Sequence, residues 1–124
     1  MIQIATNSSQ SARLKACGLN PSTADMTLSD GYDLSAICYH HGVFSDKDEP
    51  AWSLSVLLAF LPNSVQIGDS SYEFQLCKCP FGYEVKYHTE GLSDPFGCLC
   101  KEPIEGCVSA IEWLKKIGCK LKEI

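Results

Sequence analysis

The stretch YEFQLCKCPFGYEVKYHT (72–89) decides the fold. Tyr72, Phe74 and Leu76 alternate with polar residues, and so do Tyr83, Val85 and Tyr87. Period-2 alternation places each apolar set on one face of a half-buried strand. Between them, Phe81-Gly82 marks a turn, so residues 72–79 and 83–89 are expected to form a hairpin. A loop with an even number of residues brings the two apolar faces together, whereas an odd loop opposes apolar to polar. The expected register pairs Leu76 with Tyr87, Cys77 with Lys86 and Gln75 with His88. Cys77 and Cys79 then share the polar face with Glu73 and Gln75.

Downstream, GLSDP leads into a third strand over about 96–101, FGCLCK. Its register is open on sequence grounds. If Phe96 faces the core, Cys98 and Cys100 do too; if Leu99 does, both cysteines join the polar face. The last element is a helix over about 103–117. Pro103 suits its first position, and Ile104, Cys107, Val108, Ile111 and Leu114 make one apolar stripe. Glu112 and Lys116 are spaced for an i, i+4 pair, and Gly118 ends the helix.

Upstream, PAWSLSVLLAFLP (50–62) carries a helix start and stop. Ser53 is the expected N-cap, Trp52 and Leu57 occupy the positions of a hydrophobic staple, and Pro62 closes the helix at Leu61. Leu54, Leu57, Leu58 and Leu61 form its buried face. A short first helix is expected over 8–17, capped by Ser8, Ser9 or Ser11, with Gly18 at C′. Residues 26–29 and 32–40 read as a hairpin around Asp30-Gly31, and SDKDEP (45–50) reads as a charged loop. The order α-β-β-α-β-β-β-α implies an α+β domain spanning 1–124. It would hold an antiparallel sheet of two hairpins plus a third C-terminal strand, with helices packed on it.

With 45% apolar residues, 124 residues can bury a core without metals or disulfides. Acidic residues outnumber basic ones, 15 to 10, and Arg13 is the only arginine. Nucleic acid is therefore a disfavoured partner, because phosphate contacts need clustered lysine and arginine. The densest basic group, Lys115, Lys116, Lys120 and Lys122, reads as cations at a helix C-terminus. No leader-like start and no bilayer-length apolar run is visible, so a cytoplasmic protein without membrane insertion is expected.

The eight cysteines are accordingly expected as thiols. The sharpest pattern is two Cys-x-Cys pairs. Cys77, Cys79, Cys98 and Cys100 could together present four sulfurs to one zinc, if the register of the third strand puts them on one face. Cys38 and His40 share a strand face, the nearest approach to a thiol–imidazole pair, but nothing in the sequence orients the base. Adjacent His40 and His41 point to opposite faces of a strand, and His88 reads as a surface residue. Asp25, Asp30 and Asp33 lack calcium-loop spacing. No phosphate-binding glycine loop, zincin motif or nucleophile elbow occurs.

Three segments also resemble known sequences: SARLKACGLNPSTADM (11–26), PAWSLSVLLAFLP (50–62) and PIEGCVSAIEWLKKIG (103–118). They are similar to small proteins without assigned activity from anaerobic gut bacteria and their prophages or conjugative elements. The resemblance implies a mobile-element context and no mechanism. Three strands followed by a helix beginning Pro-Ile-Glu also resemble the β-β-β-α domains of HicB-type antitoxins and phage sandwich domains, at the level of fold only. The leading expectation is a non-enzymatic protein-binding or regulatory protein whose partner is another protein. The alternatives are a zinc-stabilised module held by the four paired cysteines and a small cysteine-dependent enzyme or redox protein.

Overall fold

A computed structural model describes residues 3–28, 37–39 and 49–123, with backbone placement alone for 37–39. Its α+β character is as the sequence implies. Helix α1 spans Ser8–Ala16, strand β1 Met26–Leu28, β2 Ile37–Tyr39 and β3 Glu49–Ala51. Helix α2 follows at Leu54–Phe60, then β4 (Ser64–Ile67), β5 (Ser70–Cys79), β6 (Gly82–His88), β7 (Phe96–Cys100) and α3 (Pro103–Lys116). The strands divide into two antiparallel sheets, ordered β2-β1-β3 and β4-β5-β6-β7, where a single sheet was expected. No helix among the described residues is long and apolar enough to cross a membrane.

The four-stranded sheet is built on the 72–89 hairpin. Cys79 pairs with Gly82, so the loop is the two residues Pro80-Phe81. Leu76 lies opposite Val85, Phe74 opposite Tyr87, and Cys77 opposite Glu84. This register differs by two residues from the expected one. Its parity is unchanged, so the apolar faces still coincide. A tight loop is possible because Gly82 adopts φ 139°, a left-handed conformation that favours glycine.

Helix α3 lies on β6 and β7 and also meets α1 and α2. All five residues of its expected stripe are fully buried. Each such aliphatic burial is worth about 1.5–3 kcal/mol. Gly106 lets the helix approach closely: a Cβ built there would press into Val85 and stand 2.9 Å from the Cys100 sulfur. An aromatic string completes the contact. Phe96 stacks on Trp113 at 5.3 Å, Trp113 meets Tyr87 at 5.6 Å, and Tyr87 meets Phe74 edge-on at 5.5 Å. The Tyr87 hydroxyl donates to the Pro62 carbonyl at 2.8 Å, so its buried polar end is satisfied.

Helix α2 follows its sequence signature. Ser53 Oγ accepts from the Val56 amide, and Trp52 and Leu57 are both fully buried in the main core. The helix ends at Phe60, because Leu61 turns extended ahead of Pro62. Trp52 is tied down at both ends: Nε1 donates to Thr23 Oγ1 at 3.0 Å, and its amide to Thr6 Oγ1 at 3.0 Å. Helix α1 is capped by Asn7, one residue ahead of the expected serines. Asn7 Oδ1 accepts from the Gln10 amide, and Gln10 Oε1 accepts from the Asn7 amide, a reciprocal capping box.

In the smaller sheet, β1 pairs with β2 as expected of a first hairpin, but Leu28 faces Ile37. The turn expected at Asp30-Gly31 lies outside the described residues. Strand β3 forms at the end of the SDKDEP segment, where a loop was expected; Pro50 lies opposite Thr27 on this edge strand.

Candidate functional site

The register of β7 settles where the paired cysteines point. Phe96 lies opposite Tyr87, Cys98 opposite Val85, and Cys100 opposite Tyr83. Val85 and Tyr87 are fully buried, so Cys98 and Cys100 face the core beneath α3. Cys77, opposite Glu84, faces the other way, as does Cys79. Leu99, also opposite Glu84, shares that outer face. The structure therefore does not bring Cys77, Cys79, Cys98 and Cys100 together, and one tetrahedral ion cannot take all four sulfurs through the sheet. No group of three or more histidine, cysteine or acidic side chains among the described residues is arranged to hold a metal.

Two thiols beneath α3, those of Cys100 and Cys107, are held neutral. Burial pushes the Cys107 thiol up to about 12, with the nearby Cys100 and Cys98 adding to the shift. Burial pushes Cys100 up to about 11, Cys98 adds to it, and the Gly106 amide opposes it. The Cys100 thiol donates to the Tyr83 carbonyl at 3.6 Å. Cys17, between α1 and α3, is also raised, first by burial and then by Glu112. These shifts run opposite to the thiolate activation that a cysteine nucleophile needs. The Cys38 side chain and the residues His40 and His41 lie outside the described residues.

His88 lies opposite Glu73, and its Nδ1 is 2.6 Å from Asp94 Oδ1. That contact ties the β6–β7 connection to the outer face. Asp25 accepts from the Ser53 amide at 2.9 Å, which gives it a structural role at the start of α2.

The strongest charged cluster was not visible as a motif. Arg13 on α1 reaches Glu105 at 2.9 Å and Glu112 at 2.6 Å on α3. Glu112, expected to pair with Lys116, is thus engaged by Arg13. Hydrogen bonds to Glu112 and Glu105 raise the arginine. Burial acts to raise the Glu105 carboxyl, but hydrogen bonds from Arg13, Gln10 and Ser109 outweigh it and hold the group below its ordinary value. The seven-residue spacing of Glu105 and Glu112 puts them on one helix face. Only the fold brings Arg13 to them. This clamp locks α1 onto α3.

What remains is the sheet itself. Among the described residues, β7 is an outer strand of the four-stranded sheet. Phe96–Cys100 contains neither proline nor a charged residue. Leu99 is 63% exposed on the outer face, beside Gly97, where a built Cβ meets open space. Natural sheets usually guard such an edge with charge, proline or a bulge. Here Pro95 and Lys101 stand just outside it. No family model matches the chain, and neither a curated protein nor a solved structure does.

Proposed function

We propose that this chain is a non-enzymatic protein-binding or regulatory protein that adds an extended segment of a partner protein to the open edge of β7. The observation that carries the reading is that edge: uncharged, proline-free, and bearing the exposed Leu99 beside Gly97. Strand addition draws affinity from main-chain hydrogen bonds and selectivity from alternate side chains. Leu99 would supply the apolar anchor on the outer face. The net charge of −5 favours encounter with a basic partner. A phage or mobile-element origin belongs to the same proposal, supported by the three resembling segments, as does a cytoplasmic setting, supported by the lack of a leader-like start in the sequence; a gene lying among integration or conjugation genes is the expected context.

The test compares proteins retained by the immobilised full chain with those retained by Leu99→Lys. Ile4→Lys, at a comparably exposed apolar site, serves as the control. A partner kept by the wild type and Ile4→Lys but lost by Leu99→Lys supports edge binding. Retention that ignores the Leu99 substitution overturns it.

A further inference from the structure

The basic residues of the C-terminal region are not absorbed by the β7 reading, and they lie in a different place. A cleft of about 380 Å³ opens where the end of α1, the end of α2 and the segment after α3 meet. Leu19, Phe60 and Leu121 give it apolar walls, and two lysines, Lys115 and Lys122, are in its lining. Its volume falls within the range of small-molecule sites, and it is an open cleft with apolar walls and a few polar groups at its rim.

Two features prepare the lysines for a ligand. Lysines near helix ends ordinarily serve the terminal carbonyls. Here those carbonyls are already engaged by the backbone. Leu19 and Gly18 amides donate to Leu14 and Lys15, and Cys119 and Gly118 amides donate to Leu114 and Lys115. Both helices thus end in Schellman motifs, with Gly18 at φ 92° and Gly118 at φ 77°. Moreover, neither Lys115 nor Lys122 forms an ion pair among the described residues.

The cleft is also anchored. The Lys122 amide donates to the Phe60 carbonyl at 2.8 Å, fixing the C-terminal segment against α2. The Lys115 side chain folds over Gly18, where a built Cβ would lie 3.7 Å from its Nζ. The Cys17 thiol lines the cleft, and burial keeps it protonated, so it places no negative charge there. Glu123 is the one acidic residue in the lining.

We infer that this cleft binds a small organic anion, with an apolar body against Leu19, Phe60 and Leu121 and a carboxylate between Lys115 and Lys122. The inference is independent of partner binding at β7.

Octanoate serves as the probe and 1-octanol as its neutral counterpart, titrated into the full chain by calorimetry and by amide chemical shifts. Saturable octanoate binding is expected, with shifts centred on residues 17–23 and 119–123 and much weaker binding of octanol. Lys115→Gln and Lys122→Gln should each weaken octanoate by about tenfold, the loss of one charge-assisted hydrogen bond. Glu123→Gln should tighten it. All three substitutions are at the surface, so each variant's thermal unfolding confirms that it folds. Non-saturable binding, equal affinity for octanol, or unchanged affinity in the double lysine variant overturns the inference.

Discussion

Gly106→Ala should destabilise the protein, although alanine is the better helix former. In an exposed helix interior the change would gain about 1 kcal/mol. Gly106, however, is buried against β6 and β7. The added methyl would meet the Val85 side chain, with Val85 Cβ at 2.9 Å, and the Cys100 sulfur at 2.9 Å. Val85 Cβ is fixed by its backbone and cannot rotate away. Overpacking of this kind costs about 1–3 kcal/mol. Taking the upper part of that range for a clash with a fixed atom, and subtracting the helix gain, leaves a net loss of about 2 kcal/mol. Val85→Ala alone should cost about 2 kcal/mol through its cavity. The double variant places the new methyl into that cavity. It should therefore be more stable than the sum of the two losses predicts, by at least about 1 kcal/mol. Urea unfolding of the four proteins, with the slope unchanged, reads this directly. A Gly106→Ala protein as stable as the wild type, or additive losses in the double variant, would refute the close approach of α3 to β6.

Other expectations follow from single contacts. Asn7→Ala should lose about 1 kcal/mol by removing the α1 cap, whereas Ser9→Ala, at a position outside the cap, should change stability little. Arg13→Gln should cost about 1 kcal/mol at neutral pH, since the clamp is only partly buried. Glu105 is held below its ordinary value of 4.5, so its contribution is full above that range and is lost as pH falls through the lowered value. The gap between wild type and Arg13→Gln should therefore close in acid, and a constant gap would contradict the clamp. The Cys107 thiol is raised from 9.0 to about 12, so the unfolded chain releases its proton first and stability must fall as pH rises above 9.0. At about 1.4 kcal/mol per pH unit, the full interval amounts to about 4 kcal/mol. Cys107→Ala starts less stable but should show a shallower alkaline decline, and parallel pH profiles would exclude the effect.

The parts of the fold that sequence revealed are those whose signals are local. Ser53, Trp52 and Leu57 announce the start of α2 within six residues, and the stripe from Ile104 to Leu114 needs only a helical period. The alternation in 72–89 fixed which side chains face the core, but alternation is blind to a shift of two, and the pairing differs by that amount. Short strands escaped. β3 contains a proline and follows a charged run, and β4 is only Ser64–Ile67; each exists because a partner strand lies beside it. The α1 cap was expected among Ser8, Ser9 and Ser11, and Asn7 was missed; its reciprocal bonding with Gln10 is what selects it. For the candidate site the difficulty was sharper. Phe96, Cys98, Leu99 and Cys100 are all compatible with burial, so FGCLC has no polar residue to mark its outward face. Trp113, stacking on Phe96, decides the register through a contact made only once α3 is in place.

That register carries both the separation of the cysteine pairs and the exposure of Leu99. The most direct measurement of it is the alkylation rate of each cysteine in the folded protein at neutral pH, resolved by peptide mass. The structure predicts that exposed Cys77 reacts faster than partly covered Cys98 and Cys100, and that buried Cys107 reacts only on the timescale of unfolding. Protection of Cys77 together with rapid labelling of Cys98 and Cys100 would reverse the faces of the sheet, turn Leu99 inward and remove the basis for binding at the β7 edge.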